Sequence, residues 1–228
     1  MIAENLYHIR ARVAEAAARA HRDTEDVRIV AAAKGQGLQK IEEVLAAGIR
    51  IIGHNYVQEA ERDRPASVDP DVEFHYIGHL QKNKAGKAVE LFHVIQTVDD
   101  EKLAEDLNRR AAAVGRTVGV MIQVNLAAEP QKSGADPEDV EGLVQAIRRL
   151  PYLELKGLMT MPPFFDDPDR ARPFFARLRE LRDHLIARGI LHPSVHELSM
   201  GMTGDFEVAV EEGATLIRIG TALFGPRT

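Results

Sequence analysis

The stretch VRIVAAAKGQG, residues 27–37, carries five apolar residues, Ile29 to Ala33, straight into Lys34 and a glycine-flanked turn. A run of this length reads as a strand buried on both faces, and residues 38–47 (LQKIEEVLAA), closing on Gly48, read as the helix that follows it. Two architectures use such a unit. An open doubly wound sheet brings a glycine-rich dinucleotide turn after its first strand, and KGQGLQ lacks the third glycine of that pattern. A closed barrel puts its chemistry at the C-terminal ends of its strands, where Lys34 stands.

Outward from this stretch the same unit recurs. Strand-like runs fall at 28–33, 49–53, 73–78, 92–97, 118–125, 153–159, 195–199 and 215–219. Between them, helical patterns fall at 99–114, 137–149, 169–188 and 205–212; those at 99–114, 169–188 and 205–212 stop at Gly115, Gly189 and Gly213. Strands alternating with helices imply parallel strands joined by right-handed crossovers. Eight units give an α/β fold, a (β/α)8 TIM barrel. An extra N-terminal helix precedes it over 3–20, with Ile2, Leu6, Ile9, Val13, Ala16 and Ala17 at helical spacing. No Pro/Gly/Ser-rich linker interrupts the rhythm, so residues 1–228 are expected to form a single domain.

Composition narrows the function. The chain is 45% hydrophobic and 28% charged with net charge −6, which offers no broad electrostatic footprint for nucleic acid or an anionic membrane. Zero cysteines remove disulfides and thiolate metal sites and suit a reducing cytoplasm. Glu4, Arg10, Arg12 and Glu15 break any signal-peptide core. No apolar run reaches the roughly 20 residues of a membrane span. The nine histidines show no His-x-x-x-His spacing on one helix, so no metal site is expected. The expectation is a soluble cytoplasmic protein.

The expected strand ends carry Lys34; His54 and Asn55; His75 and Gly78; Thr97 and Asp99; Asn125; Met159 and Thr160; Ser199 to Met202; and Arg218 to Thr221. LSMGMTGDF (198–206) and IRIGTALFG (217–225) supply glycines, hydroxyls and helix starts at strands seven and eight, where barrels commonly bind phosphate. A lysine desolvated in that mouth has its pKa lowered and becomes a nucleophilic amine for an aldehyde. An aldehyde that carries a phosphate is pyridoxal 5′-phosphate, with Arg218 placed across the mouth toward its pyridine nitrogen. A Schiff-base aldolase acting on a sugar phosphate fits the same residues.

NLYHIRARV, VRIVAAAK, NYVQEA, HYIGHLQKNK, QVNLAAEPQKSG, KGLMTM and ELSMGMTGDFEVAVEEGATLIRIGTALFG together resemble the pyridoxal phosphate homeostasis protein family over nearly the whole chain. That family is similar to the barrel domain of alanine racemase standing alone. The resemblance implies a Schiff base between pyridoxal 5′-phosphate and Lys34. It also implies Ser199, Gly201, Gly220 and Thr221 around the phosphate, Arg218 near the ring nitrogen and Asn55 beside the ring. Met200 is expected to pack under the ligand. Two positions depart from the family: His54 stands where an acid is usual, with an expected effect on charge at the mouth, and Gly35 stands where Thr or Asn is commoner.

An arginine beside the pyridine nitrogen keeps it unprotonated, which weakens the electron sink. A racemase tolerates this but needs a second base, which alanine racemase draws from a C-terminal domain; this sequence stops at Thr228. Of Tyr7, Tyr56, Tyr76 and Tyr152, the middle two lie nearest strand ends, where packing against loops is expected. The reading is therefore a carrier of pyridoxal 5′-phosphate, not an enzyme, serving pyridoxal 5′-phosphate-dependent apo-enzymes, and the resemblance implies a monomer. The alternative is an amino-acid racemase of low activity. Lys132 in PQKSGADP is a surface basic residue without a derived role.

Overall fold

The computed structural model describes residues 1–127 and 133–226. Eight strands, β1 (Arg28–Ala32), β2 (Ile51–His54), β3 (Glu73–Tyr76), β4 (Val94–Val98), β5 (Val118–Gln123), β6 (Leu153–Met159), β7 (Glu197–Met202) and β8 (Leu216–Ile219), form a closed parallel barrel in sequence order. β1 pairs β8, with Val30 opposite Arg218, and that pairing closes the ring. The (β/α)8 expectation holds.

Around the barrel run α1 (Ile2–Arg19), α2 (Leu38–Ala46), α3 (Val57–Asp63), α4 (Ala85–Leu91), α5 (Glu101–Ala113), α6 (Val140–Ile147), α7 (Arg172–Ala187), α8 (Phe206–Glu211) and α9 (Thr221–Phe224). The seven-residue α3 and α4 had no pattern of their own in the sequence, being too short for a helical period to stand out. α5 starts where Asp100 accepts from Leu103 N–H at 2.6 Å, a cap worth about 1 kcal/mol. The extra helix α1 buries Ile2, Leu6, Ile9, Val13, Ala16 and Ala17 and lies along α8 and α9. Arg12 to Glu207 at 2.8 Å and Asn5 Nδ2 to the Leu223 carbonyl at 2.9 Å fix it there.

Alternation along each strand sorts side chains into two layers. Val30, Ile51, Val94, Met121, Met159 and Leu216 make a small apolar cluster of their own inside the barrel. The larger core, including Phe74, Phe92, Phe175 and Phe206, fills the space between sheet and helices.

β7 departs from the expectation in a way that moves the site. It does not end at Ser199 but runs on to Met202. Against β8, Ser199 pairs Leu216 while Met202 pairs Arg218, so the strand holds one extra residue, a β-bulge. Gly201 makes it possible: its φ is 90°, and a Cβ there would fall 2.5 Å from the Ala209 methyl on α8.

Candidate functional site

At the C-terminal end of the barrel lies a cleft of about 330 Å³, near the lower limit of small-ligand clefts, roughly 300–1,000 Å³. Lys34 and Asn55 enter it from the ends of β1 and β2, Arg218 from β8, and Gly220 and Thr221 from the turn after β8. Met202 to Asp205 line another side, and Pro163, Phe164 and Phe165 of the β6–α7 loop form a wall.

Lys34 reaches the cleft because it shares the inward alternation of Val30 and Ala32 and lies two residues past the end of β1. It is half-buried, with Nζ 5.4 Å from the centroid of the Tyr56 ring. Gly35 turns the chain away with φ 71°, and its N–H donates to Glu59 Oε1 at 3.3 Å.

Arg218 forms the floor and is 3% exposed. Its Nη1 donates to Ser199 Oγ at 2.7 Å and its Nη2 to the Thr160 carbonyl at 2.9 Å. Burial lowers its pKa to about 10, opposed by the charge of Asp205, so it stays cationic at neutral pH. β8 adjoins β1, and the guanidinium reaches from that neighbouring strand toward β6.

Two turns form the anion-ready wall. Thr203 Oγ1 accepts from Ala222 N–H at 3.3 Å and ties the turn after β7 to the one after β8. A Cβ on Gly204 would meet nothing within 4 Å, so that glycine leaves open space in the cleft. Asp205 Oδ1 accepts from Met202 N–H at 2.6 Å; burial nonetheless lifts its carboxyl above the ordinary range.

Of the eight residues singled out in the sequence, Lys34, Asn55, Arg218, Gly220 and Thr221 line the cleft. Ser199, Met200 and Gly201 lie outside that lining, because β7 runs on past them. Ser199 is buried inside the barrel, bonded to Gln96 and Arg218. Met200 packs its side chain in the sheet–helix core. Gly201 forms the bulge. Thr203, Gly204 and Asp205 take their place, and the hydroxyl–glycine pattern they share with Gly220 and Thr221 was the available signal.

Three further placements differ from expectation. His54 is not at the mouth: it faces the core, its ring 6.3 Å from those of Phe74 and Phe92, with both nitrogens unpartnered. Burial lowers its pKa to about 4, so it adds no charge to the cleft. Tyr56, read as loop packing, instead stands beside Lys34. Phe164, not noticed in the sequence, is 85% exposed on the cleft wall. Lys132 lies outside the described residues. Among the described residues no cluster of three or more His, Asp or Glu could hold a metal, and no helix is long and apolar enough to cross a membrane.

Residues 5–228 match the family model described as alanine racemase, N-terminal domain. The pyridoxal phosphate homeostasis protein of Pseudomonas aeruginosa is 40% identical over 226 residues, 99% of this chain and 96% of that protein. Its counterpart in Aquifex aeolicus is 38% identical over 224 residues, 98% and 97% of the two chains. The solved structure of PipY from Synechococcus elongatus PCC7942, with PLP bound, superposes with TM-score 0.86 at 37% identity, covering 99% of this chain and all of that one. An alanine racemase of Clostridium difficile shares the fold at TM-score 0.75 and 14% identity, this chain covering 56% of its length. By sequence and by fold, the chain belongs to the alanine racemase N-terminal domain family and, within it, to the pyridoxal phosphate homeostasis proteins.

Proposed function

We propose that this protein holds pyridoxal 5′-phosphate covalently on Lys34 and hands it to apo-enzymes that require it, with no dedicated substrate of its own. The observation that carries the reading is the convergence, in one cleft, of an amine, a buried guanidinium and two hydroxyl-bearing turns. The residues fit the group. Lys34 supplies the amine for the aldehyde, Thr203, Gly204, Gly220 and Thr221 supply the wall for the phosphate, and Arg218 supplies the cation for the ring nitrogen. PipY, 37% identical over nearly its whole length, is described with PLP bound.

Bound there, the cofactor supplies an electrophilic carbon and an electron sink. The protein limits the sink, because Arg218 stays cationic: it can donate a hydrogen bond to a ring nitrogen but does not give up its proton to it. The tyrosines do not complete a racemase. Tyr76 is buried, donates its hydroxyl to the His79 carbonyl at 3.0 Å, and burial raises its pKa to about 12. Tyr56 stands on the same side of the mouth as Lys34, and Tyr152 precedes β6 at the opposite end of the barrel. Tyr7 is exposed on α1.

The test is titration of the purified protein with pyridoxal 5′-phosphate. A visible absorbance band is expected, with borohydride fixing the added mass on Lys34. Transfer to an apo-enzyme is expected to restore that enzyme's activity. A band that survives Lys34→Ala, or alanine racemisation at the roughly 1–10³ s⁻¹ typical of enzymes, overturns the reading.

A further inference from the structure

TIM-barrel interiors are usually filled by layers of branched apolar side chains. Here one line of polar side chains crosses the interior from end to end. His75 Nε2 lies 3.0 Å from Glu73 Oε2, Gln96 Nε2 lies 2.8 Å from His75 Nδ1, and Ser199 Oγ donates to Gln96 Oε1 at 2.6 Å. Arg218 Nη1 completes it at 2.7 Å from Ser199 Oγ. Glu73 sits beside Arg28, Lys156 and Glu197 at the N-terminal end of the barrel; Arg218 floors the cleft at the other. His75, Gln96, Ser199 and Arg218 are all buried. Burying four polar groups costs free energy unless each finds a partner, and here each does.

The line has a single consistent direction. An ionised carboxylate only accepts, so Glu73 fixes the His75 proton on Nε2. Desolvation keeps this fully buried ring neutral, against the pull of Glu73, which leaves Nδ1 as an acceptor. Gln96 must then turn its NH₂ to His75 and its oxygen to Ser199. Ser199 spends its proton on Gln96 and turns a lone pair to Arg218. Reversing any one link would set two donors or two acceptors against each other.

We propose that Glu73, His75 and Gln96 are positioning residues: they fix the orientation of Ser199 and through it the face that Arg218 presents to the ring-nitrogen side of a bound cofactor. This rests on the reading of the cleft as a pyridoxal 5′-phosphate site. The line also gives a buried cation with no carboxylate bonded to it a polarised partner whose far end is anionic.

Gln96→Leu cuts the line at its centre. In the loaded protein, Gln96→Leu is expected to weaken cofactor binding about tenfold, the equivalent of one hydrogen bond's net stabilisation. It is also expected to move the visible band of the lysine-bound cofactor. A purely structural role would lower the melting temperature and leave the band in place; that result overturns the proposal. Should Gln96→Leu not fold, Ser199→Ala removes a single hydroxyl and carries the same expectation. In the cofactor-free protein, ¹⁵N resonances of the His75 ring should report one tautomer, protonated at Nε2. A mixture already present in wild type overturns the proposal. If wild type forms no visible band at all, the reading of the cleft fails and the nitrogen resonances alone decide the line.

Discussion

Lys34 Nζ rests 5.4 Å from the centroid of the Tyr56 ring, so the amine that ends the first strand unit is covered by the aromatic residue that follows the second. The two come from paired strands, β1 and β2, whose register sets Ala32 opposite Gly53 and so brings the residues beyond both ends together. A cation over a half-exposed aromatic ring gains about 0.5–1 kcal/mol.

The first prediction concerns that ring. Tyr56→Leu should make the lysine-bound cofactor react with hydroxylamine about 2- to 5-fold faster, the kinetic equivalent of that contact. Tyr56→Phe, which keeps the ring, should match wild type. Decay of the visible absorbance after rapid mixing measures both.

A second concerns the phosphate wall. Thr221→Val and Thr203→Val should each weaken pyridoxal 5′-phosphate about tenfold, as expected for losing a hydrogen bond to a charged group. Binding of pyridoxal, which lacks the phosphate, should be unchanged. Thr203→Ser should behave as wild type, since it keeps the hydroxyl that accepts from Ala222 N–H. Equilibrium titration with the two ligands separates the effects.

Two glycines of the same loop should behave oppositely. Gly201→Ala sets a methyl 2.5 Å from that of Ala209 at φ 90°, and should cost about 2–4 kcal/mol of stability. Gly204→Ala has no neighbour within 4 Å and should leave the melting temperature alone, while its methyl narrows the cleft and weakens cofactor binding. Thermal denaturation and titration of the two variants decide the matter.

His54 gives the pH dependence. Its pKa is lowered from 6.5 to about 4 by burial, so the folded chain resists a proton that the unfolded chain takes up. Its contribution is intact above pH 6.5 and is lost as pH falls toward about 4, a total of roughly 3 kcal/mol. His54→Leu should flatten denaturant-measured stability across that window. It should also raise stability at neutral pH by about 1–2 kcal/mol, because two unpartnered ring nitrogens leave the core.

Much of this was legible in one dimension. The strand–helix rhythm, the missing third glycine after Lys34 and the polar strand ends specify a closed barrel with its chemistry on one rim. Lys34 and Arg218 could be placed because inward positions repeat every second residue from Val30 and Leu216. Thr203 and Asp205 were in view but outweighed by Ser199, because a bulge leaves no mark on a pattern of apolar residues. His54 misled for a related reason: one step along β2 separates the mouth-facing Asn55 from a core-facing neighbour, and a histidine suits either.

The sequence by itself determined the number of strands, their order and the kind of group each brings to the rim, because burial and chain direction impose short-range periods that residues carry locally. Only the tertiary structure decided which of those groups share the cleft and that a polar line crosses the barrel behind it. Those relations depend on register, on one extra residue in β7 and on partners such as Gln96 and Ser199, 103 positions apart, and close approach between distant segments exists only once the sheet has closed.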